Sequence, residues 1–315
     1  MATLFLGLGA QKAGTSWLFH QIKRGSGFRQ GLGKEYHVLD SLYVPGLDDF
    51  TKRFSSQAGE LRKSYDLLME RQPDSRGRLR RLMGQRSRPS ECHEATQIKQ
   101  KIARKERLIG MMTREENYFD YIGSRLNTPE TFTLDFTPSY SALTAEHLRR
   151  VRQEFARRNV QVRLIFIMRD PVCRLESSVR MDMRDKGVLN ADNREAAVQR
   201  MLTYGGSEHE RSRSNYPAVV QALDAVFPSE DAFIGFYEEL FTPSTMADLA
   251  RFCGIEPDVF DTTRYYNHSA SCFTYPRNMI CELQERYRDI YDFVGQRFTF
   301  DLSLWETSRG RLIED

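Results

Sequence analysis

The first feature that narrows the fold is local. An apolar run, "TLFLGLG", passes directly into "AQKAGTSWLF", with glycines at positions 7, 9 and 14. Such a run predicts a buried strand, the glycines a tight turn, and the following stretch a helix. Gly9, four intervening residues, Gly14, Thr15 and Ser16 reproduce the spacing of a nucleotide-binding phosphate loop, with Thr15 where the lysine of that pattern stands. The loop's lysine is Lys12 instead. Free backbone N–H groups at a helix N-terminus still make an anion site, so the stretch reads either as a phosphate cradle or as a tightly packed strand-to-helix turn.

Three further runs read as strands: "TFTLDF" at residues 131–136, "VRLIFIM" at 162–168 and "AFIGFY" at 232–237. All but "TFTLDF" are nearly continuous apolar runs, the mark of strands covered on both faces. Helical patterns lie between them. "TAEHLRRVRQEFARR" has Thr144 as its N-cap and Leu148, Val151 and Phe155 on one face, and "YPAVVQALDAVF" has Pro217 in its first turn. Alternation of this kind predicts an α/β fold, a P-loop-like parallel β-sheet flanked by helices, whose ligands gather at the carboxyl ends of the strands.

The alternation is interrupted over residues 48–127, too long for one crossover helix, and this stretch reads as a helical insertion after the first strand. From Lys52 to Gly110 the chain carries 16 Lys and Arg against 7 Asp and Glu, although the net charge of all 315 residues is only +3. A solvated helical face and a docking face for an anionic acceptor both account for that excess. The balance elsewhere gives no nucleic-acid signature. The reading is of a single domain, residues 1–315, whose last part, about 256–315, covers the ligand.

Five cysteines, at 92, 173, 253, 272 and 281, form neither a CxxC pair nor a metal-ligand spacing. They suit a reducing compartment and give no metal site. No basic leader opens the chain and no apolar run approaches the length of a membrane span, so a cytoplasmic location is expected.

The third strand ends in "IFIMRDPVCRLESSVRM". Arg169 stands at its carboxyl end, Asp170 and Pro171 suit the N-cap and first turn of the next helix, and Ser177 follows eight residues after the arginine. A guanidinium there either meets a phosphate in bidentate fashion or makes a structural ion pair. The first loop together with Arg169 and Ser177 describes a nucleotide phosphorylated at two separate places.

This pairing resembles the sulfotransferase family, and in particular the Golgi-type carbohydrate sulfotransferases and their bacterial relatives, whose donor is 3′-phosphoadenosine 5′-phosphosulfate (PAPS). The resemblance implies that Lys12, Ala13, Gly14, Thr15, Ser16 and Trp17 hold the 5′-phosphosulfate and that Arg169 and Ser177 hold the 3′-phosphate. "GKEYHVLD" looks like the family's catalytic segment, with Glu35, His37 and Asp40 in its ExHxxD pattern. "LDFTPSY" is similar to its "EKTPAY" stretch, with Phe136 in place of the lysine, and Asp135, Thr137 and Tyr140 are then expected to border the acceptor pocket. "SNYPAVVQALDAVFPSEDAFIGFYEEL" resembles its tyrosine helix and the strand with an acidic end. The segment "NHSASCFTYPRNM" would have to supply the loop that covers the nucleotide.

The position of the lysine then has a chemical reason. A transferring sulfonate carries about one negative charge where a γ-phosphate carries roughly two, so less charge calls for a divalent metal, and a lysine within the loop can stabilise the leaving phosphate. The expected reaction uses PAPS, releases adenosine 3′,5′-bisphosphate (PAP), needs no metal, and takes Glu35 as general base, with His37 the other candidate. The acceptor is a hydroxyl on a sugar, glycolipid or small metabolite. A magnesium-dependent P-loop kinase, with Asp135 on a Walker-B-like strand, and a non-catalytic nucleotide-binding protein are the alternatives.

Overall fold

The computed structural model describes residues 1–44, 46, 49–70, 89–264 and 273–314. The chain divides into two compact units, one made of residues 1–36 and 122–315, the other of residues 37–121.

The larger unit is built on four parallel strands, β1 (Ala2–Gly9), β2 (Phe132–Asp135), β3 (Val160–Met168) and β4 (Ala232–Phe236), in the order β2-β1-β3-β4. This is the α/β arrangement expected from the alternation of runs. Leu4, Leu6, Leu164, Phe166 and Ile167 are fully buried, as strands with helices on both faces require. The polar residues of β2 are equally buried. Thr133 spends its hydroxyl on the Arg29 carbonyl at 2.8 Å, and the backbone of Gly27 and Arg29 bonds Phe132 on the outer edge of the strand. That pairing covers an edge which would otherwise expose unpaired backbone groups.

Helix ends follow the local signals. Thr144 caps helix Ala145–Ala156 in a reciprocal capping box with His147, and Asn215 caps helix Tyr216–Asp224. Asp170 accepts from the Cys173 amide at 2.8 Å and Pro171 opens helix Pro171–Asp185. Helices Pro243–Cys253, Arg277–Arg286, Arg288–Arg297 and Ser303–Gly310 follow β4.

In the smaller unit, helices Phe50–Glu70 and Pro89–Thr113 run antiparallel: Thr51 meets Met112, the Lys105 ammonium lies 3.7 Å from the centre of the Phe54 ring, and Arg62 pairs with Glu106. Phe50, Phe54, Ala58, Leu108 and Met111 are buried. The arginine-rich stretch 71–88, which carries most of the expected positive excess, lies outside the described residues, as do residues 267–272 of the expected nucleotide-covering stretch 267–279. Among the described residues no helix is long and apolar enough to cross a membrane.

Candidate active site

The carboxyl ends of β1 and β3 lie side by side, with Gly9 paired to Phe166 and the Ala10 amide donating to the Ile167 carbonyl at 2.7 Å. The loop after β1 and the turn after β3 are therefore neighbours. Arg169 Nη1 donates to the carbonyl oxygen of Lys12 at 2.8 Å. Arg169 is held from two other sides: the Tyr216 hydroxyl donates to its carbonyl at 2.7 Å, and the Tyr237 ring stacks 4.5 Å from the guanidinium carbon. Its Nε is buried without a partner among the described residues. A buried donor in that state costs free energy unless something accepts from it, so it is open to an acceptor such as a phosphate oxygen.

Gly14 stands at the N-cap of helix Thr15–Ile22 with φ of 79°, and a Cβ there would lie 2.7 Å from Leu240. Glycine is required twice over, for the left-handed conformation and for the close approach. Gly14 offers no side chain to cap the helix, and the first intrahelical bond is Leu18 N to Gly14 O, so the amides of Thr15, Ser16 and Trp17 precede the ladder. Lys12 itself is left-handed, with φ of 68°. Burial, reinforced by the charges of Arg184, Arg169, Arg180 and Lys34, lowers its ammonium to about 8. Several cations are gathered around Lys12, a setting that an anion would relieve.

Ala13, Thr15 and Trp17 are buried, and the Trp17 ring packs against Phe241 and Phe260 with centroids 5.0 and 5.9 Å away. Its Nε1 is a second buried donor with no partner among the described residues. Ser16 is partly exposed in the first turn, and Ser177 is half-buried about two turns into the helix that follows Arg169.

Glu35 is paired with Lys34 Nζ at 2.7 Å, and the same ammonium donates to Thr15 Oγ1 at 3.3 Å. The candidate base is thereby linked to the start of the loop helix. Lys34 was not singled out by spacing; its only signal is its place beside Glu35. Asp135, Thr137 and Tyr140 are all fully buried. Thr137 and Tyr140 donate to the two Asp135 oxygens at 2.6 and 2.8 Å, and the Tyr36 amide donates to Thr137 Oγ1 at 2.9 Å. These side chains fix the backbone beside Glu35. His37 belongs to the smaller unit, where Nδ1 pairs with Asp40 at 2.9 Å and the ring stacks on Phe50.

Beside the Arg169 turn lies a further polar layer. Asp170 Oδ2 accepts from the Tyr291 hydroxyl at 2.9 Å and from Arg309 at 2.5 Å. Glu238, just past β4, accepts from the Trp305 indole at 2.8 Å. Arg174 is fully buried and pairs with Glu210 at 2.8 Å and with Ser214 at 2.6 Å, an internal brace. Burial alone would push the Glu210 carboxyl up, but the Arg174 guanidinium outweighs it and holds the group below its ordinary value.

By sequence, no family model and no curated protein matches this chain. By structure it is similar to a crystallographic sulfotransferase from Alicyclobacillus acidocaldarius, with a TM-score of 0.52 and 14% identity over 96% of this chain and 98% of that one. The sulfotransferase domain of the Synechococcus PCC 7002 olefin synthase aligns with a TM-score of 0.39 and 13% identity, covering 91% of this chain and 94% of its own. A Mycobacterium avium sulfotransferase gives 0.39 and 13%, covering 95% of this chain and 77% of its own. The fold is thus that of the first of these, a P-loop-like four-stranded parallel sheet flanked by helices.

Proposed function

We propose that the chain is a sulfotransferase that moves a sulfuryl group from PAPS to a hydroxyl of a sugar, glycolipid head group or small metabolite. The observation that carries this reading is the bond from Arg169 to the Lys12 carbonyl, which brings two anion-binding motifs together at the carboxyl edge of adjacent strands. One motif with a helix N-terminus suits a single anion; two, with buried unpartnered donors on Arg169 and Trp17, suit a nucleotide with anionic groups at two positions.

In this reading the amides of Thr15 to Trp17 and the Lys12 ammonium receive the 5′-phosphosulfate, while Arg169 and Ser177 receive the 3′-phosphate. The acceptor oxygen attacks sulfur in line, its proton passes to Glu35, and the sulfur–oxygen bond to the phosphate breaks. Lys12 neutralises the charge that builds on that departing oxygen. A lysine held near 8 is cationic at neutral pH yet close enough to titration to share a proton with the leaving group. Glu35 is preferred to His37 because its Lys34 partner also touches Thr15, at the start of the loop helix. Asp135, Thr137 and Tyr140 support the acceptor side by holding the Tyr36 backbone. Their engaged oxygens also weigh against Asp135 as a magnesium ligand.

Titration of the purified chain with PAP in a chelating buffer, and with ATP and magnesium, tests the reading. Metal-free PAP binding together with transfer of labelled sulfate from PAPS to a panel of sugar and small-molecule hydroxyls is expected. Binding only to ATP with magnesium would overturn it in favour of a kinase, and PAP binding without any turnover would leave a non-catalytic nucleotide-binding protein.

A further inference from the structure

Lys34 has no chemical part in the reaction outlined above, yet its ammonium stands between two groups that do. Nζ donates to Glu35 Oε1 at 2.7 Å and to Thr15 Oγ1 at 3.3 Å. Thr15 opens the loop helix, and its amide is one of those that precede the intrahelical ladder. A single cation therefore touches both the candidate base and the start of the candidate anion cradle.

An ion pair between sequence neighbours is ordinarily worth little, because both side chains move freely in water. This one is held. The Lys34 side chain is only 19% exposed, and its carbonyl accepts from the Phe136 amide at 2.8 Å. On one side of it the Leu32 amide donates to the Tyr36 hydroxyl at 2.8 Å, and on the other the Tyr36 amide donates to Thr137. Phe136, fully buried with its ring against Gly7 and Phe19, brings no charge to this side of the site. An ammonium carries three N–H donors, and Glu35 and Thr15 take two of them.

We propose that Lys34 is a catalytic residue that exchanges partners: its ammonium, paired with Glu35 in the structure, turns to a sulfonate oxygen when PAPS binds and gives up the carboxylate to the acceptor's proton. The inference rests on the reading of the Thr15 to Trp17 amides as the phosphosulfate cradle.

An anion received by those amides lies beside the hydroxyl that Lys34 already touches, so the ammonium turns on its flexible stem rather than travelling. Lys12 is committed to the oxygen that departs with the phosphate, and Lys34 supplies a second cation for an oxygen that stays on sulfur. Lys34 neither gives nor takes a proton. The acceptor's proton passes to Glu35 as the new sulfur–oxygen bond forms and the bond to the phosphate breaks. The carboxylate loses its cationic partner only when the donor is in place, which ties its work as a base to a loaded site.

Affinities of the full chain for PAPS and for PAP, which lacks the sulfonate, read this contact, with single-turnover transfer from PAPS measured alongside. Lys34→Met keeps the bulk of the stem and removes the charge. PAP affinity should stay within about twofold, while PAPS affinity falls on the order of tenfold, as for loss of one charge-assisted hydrogen bond. Transfer should fall about 10²-fold, the cost of losing one donor aimed at the reacting group. Lys34→Arg should recover part of the PAPS affinity, and Lys34→Gln should repeat the methionine pattern and serves where Lys34→Met does not fold. A purely structural lysine would depress PAP and PAPS alike.

Equal losses for the two nucleotides, or no loss for either, would overturn the inference while transfer by the wild type keeps the sulfotransferase reading. A wild type that binds neither nucleotide, or binds both and never transfers, overturns that reading and the inference with it.

Discussion

Arg169 Nη1 donates to the Lys12 carbonyl oxygen at 2.8 Å, across 157 positions of sequence. The bond uses the backbone of Lys12 and leaves its ammonium for other work. It also fixes one nitrogen of the guanidinium while Nε stays buried and without a partner among the described residues. The two residues are held as a unit but point their free donors separately.

That separation predicts different phenotypes for the two side chains. Lys12→Ala should lower single-turnover sulfuryl transfer by about 10²–10³-fold, the cost of losing one group aimed at developing charge, with a much smaller loss of PAP affinity. Rapid-quench kinetics alongside calorimetry check this, and equal losses in both would place Lys12 in ground-state binding instead.

Arg169→Ala should weaken PAP binding by roughly 10- to 100-fold, in line with loss of a charge-assisted hydrogen bond. Arg169→Lys restores only part of it, since an ammonium cannot bond the Lys12 carbonyl and a phosphate in one plane. Equilibrium binding to PAP, compared with adenosine 5′-phosphate, isolates the effect: a ligand without the 3′-phosphate should be indifferent to the substitution.

Glu35→Gln should reduce kcat by about 10²–10⁴-fold with PAP affinity unchanged, as for removal of a general base that does not bind the donor. His37→Gln should leave kcat within a few-fold of wild type. The opposite order of the two effects in steady-state assays would transfer the role to the histidine.

Lys12 also predicts a trade between stability and function. Its ammonium is lowered from an ordinary value of 10.5 to about 8. Below about pH 8 the folded protein carries a charge it disfavours, and the penalty is relieved as pH rises from about 8 towards 10.5, where the unfolded chain holds the extra proton. Lys12→Met should therefore stabilise the free protein at neutral pH, by on the order of 1–3 kcal/mol, while abolishing turnover. Denaturant melts at neutral and alkaline pH test the sign, and the gain should shrink in the alkaline series.

Asp135→Ala is expected to cost about 2–4 kcal/mol of stability, because it leaves the buried Thr137 and Tyr140 hydroxyls without their acceptor. Thermal melts with and without PAP should show a lower Tm but a comparable shift on ligand addition.

Much of this arrangement was legible in the amino-acid order because it is local. The run before Gly7, the glycine spacing to Gly14 and the Asp170–Pro171 start of a helix each depend on residues within a turn or two, and the structure has the strand, loop and capped helix they imply. Three of the four parallel strands followed from nearly continuous apolar runs, which burial on both faces favours. β2 was harder to read, since its Thr133 and Asp135 are polar and buried, and that is tolerable only because partners distant in sequence satisfy them.

What the chain determined by itself was the set of parts: which segments become strands, which loop exposes helix amides, and which cations stand at strand ends. What only the tertiary structure decided was their electrostatic balance. Trp305 meets Glu238 and Arg309 meets Asp170 across 67 and 139 positions, and no spacing rule connects them. Hydrogen bonds and charge act through space, and burial sets their strength. The proton affinity of Lys12 therefore belongs to the folded protein, although the residue stands in plain view in the sequence.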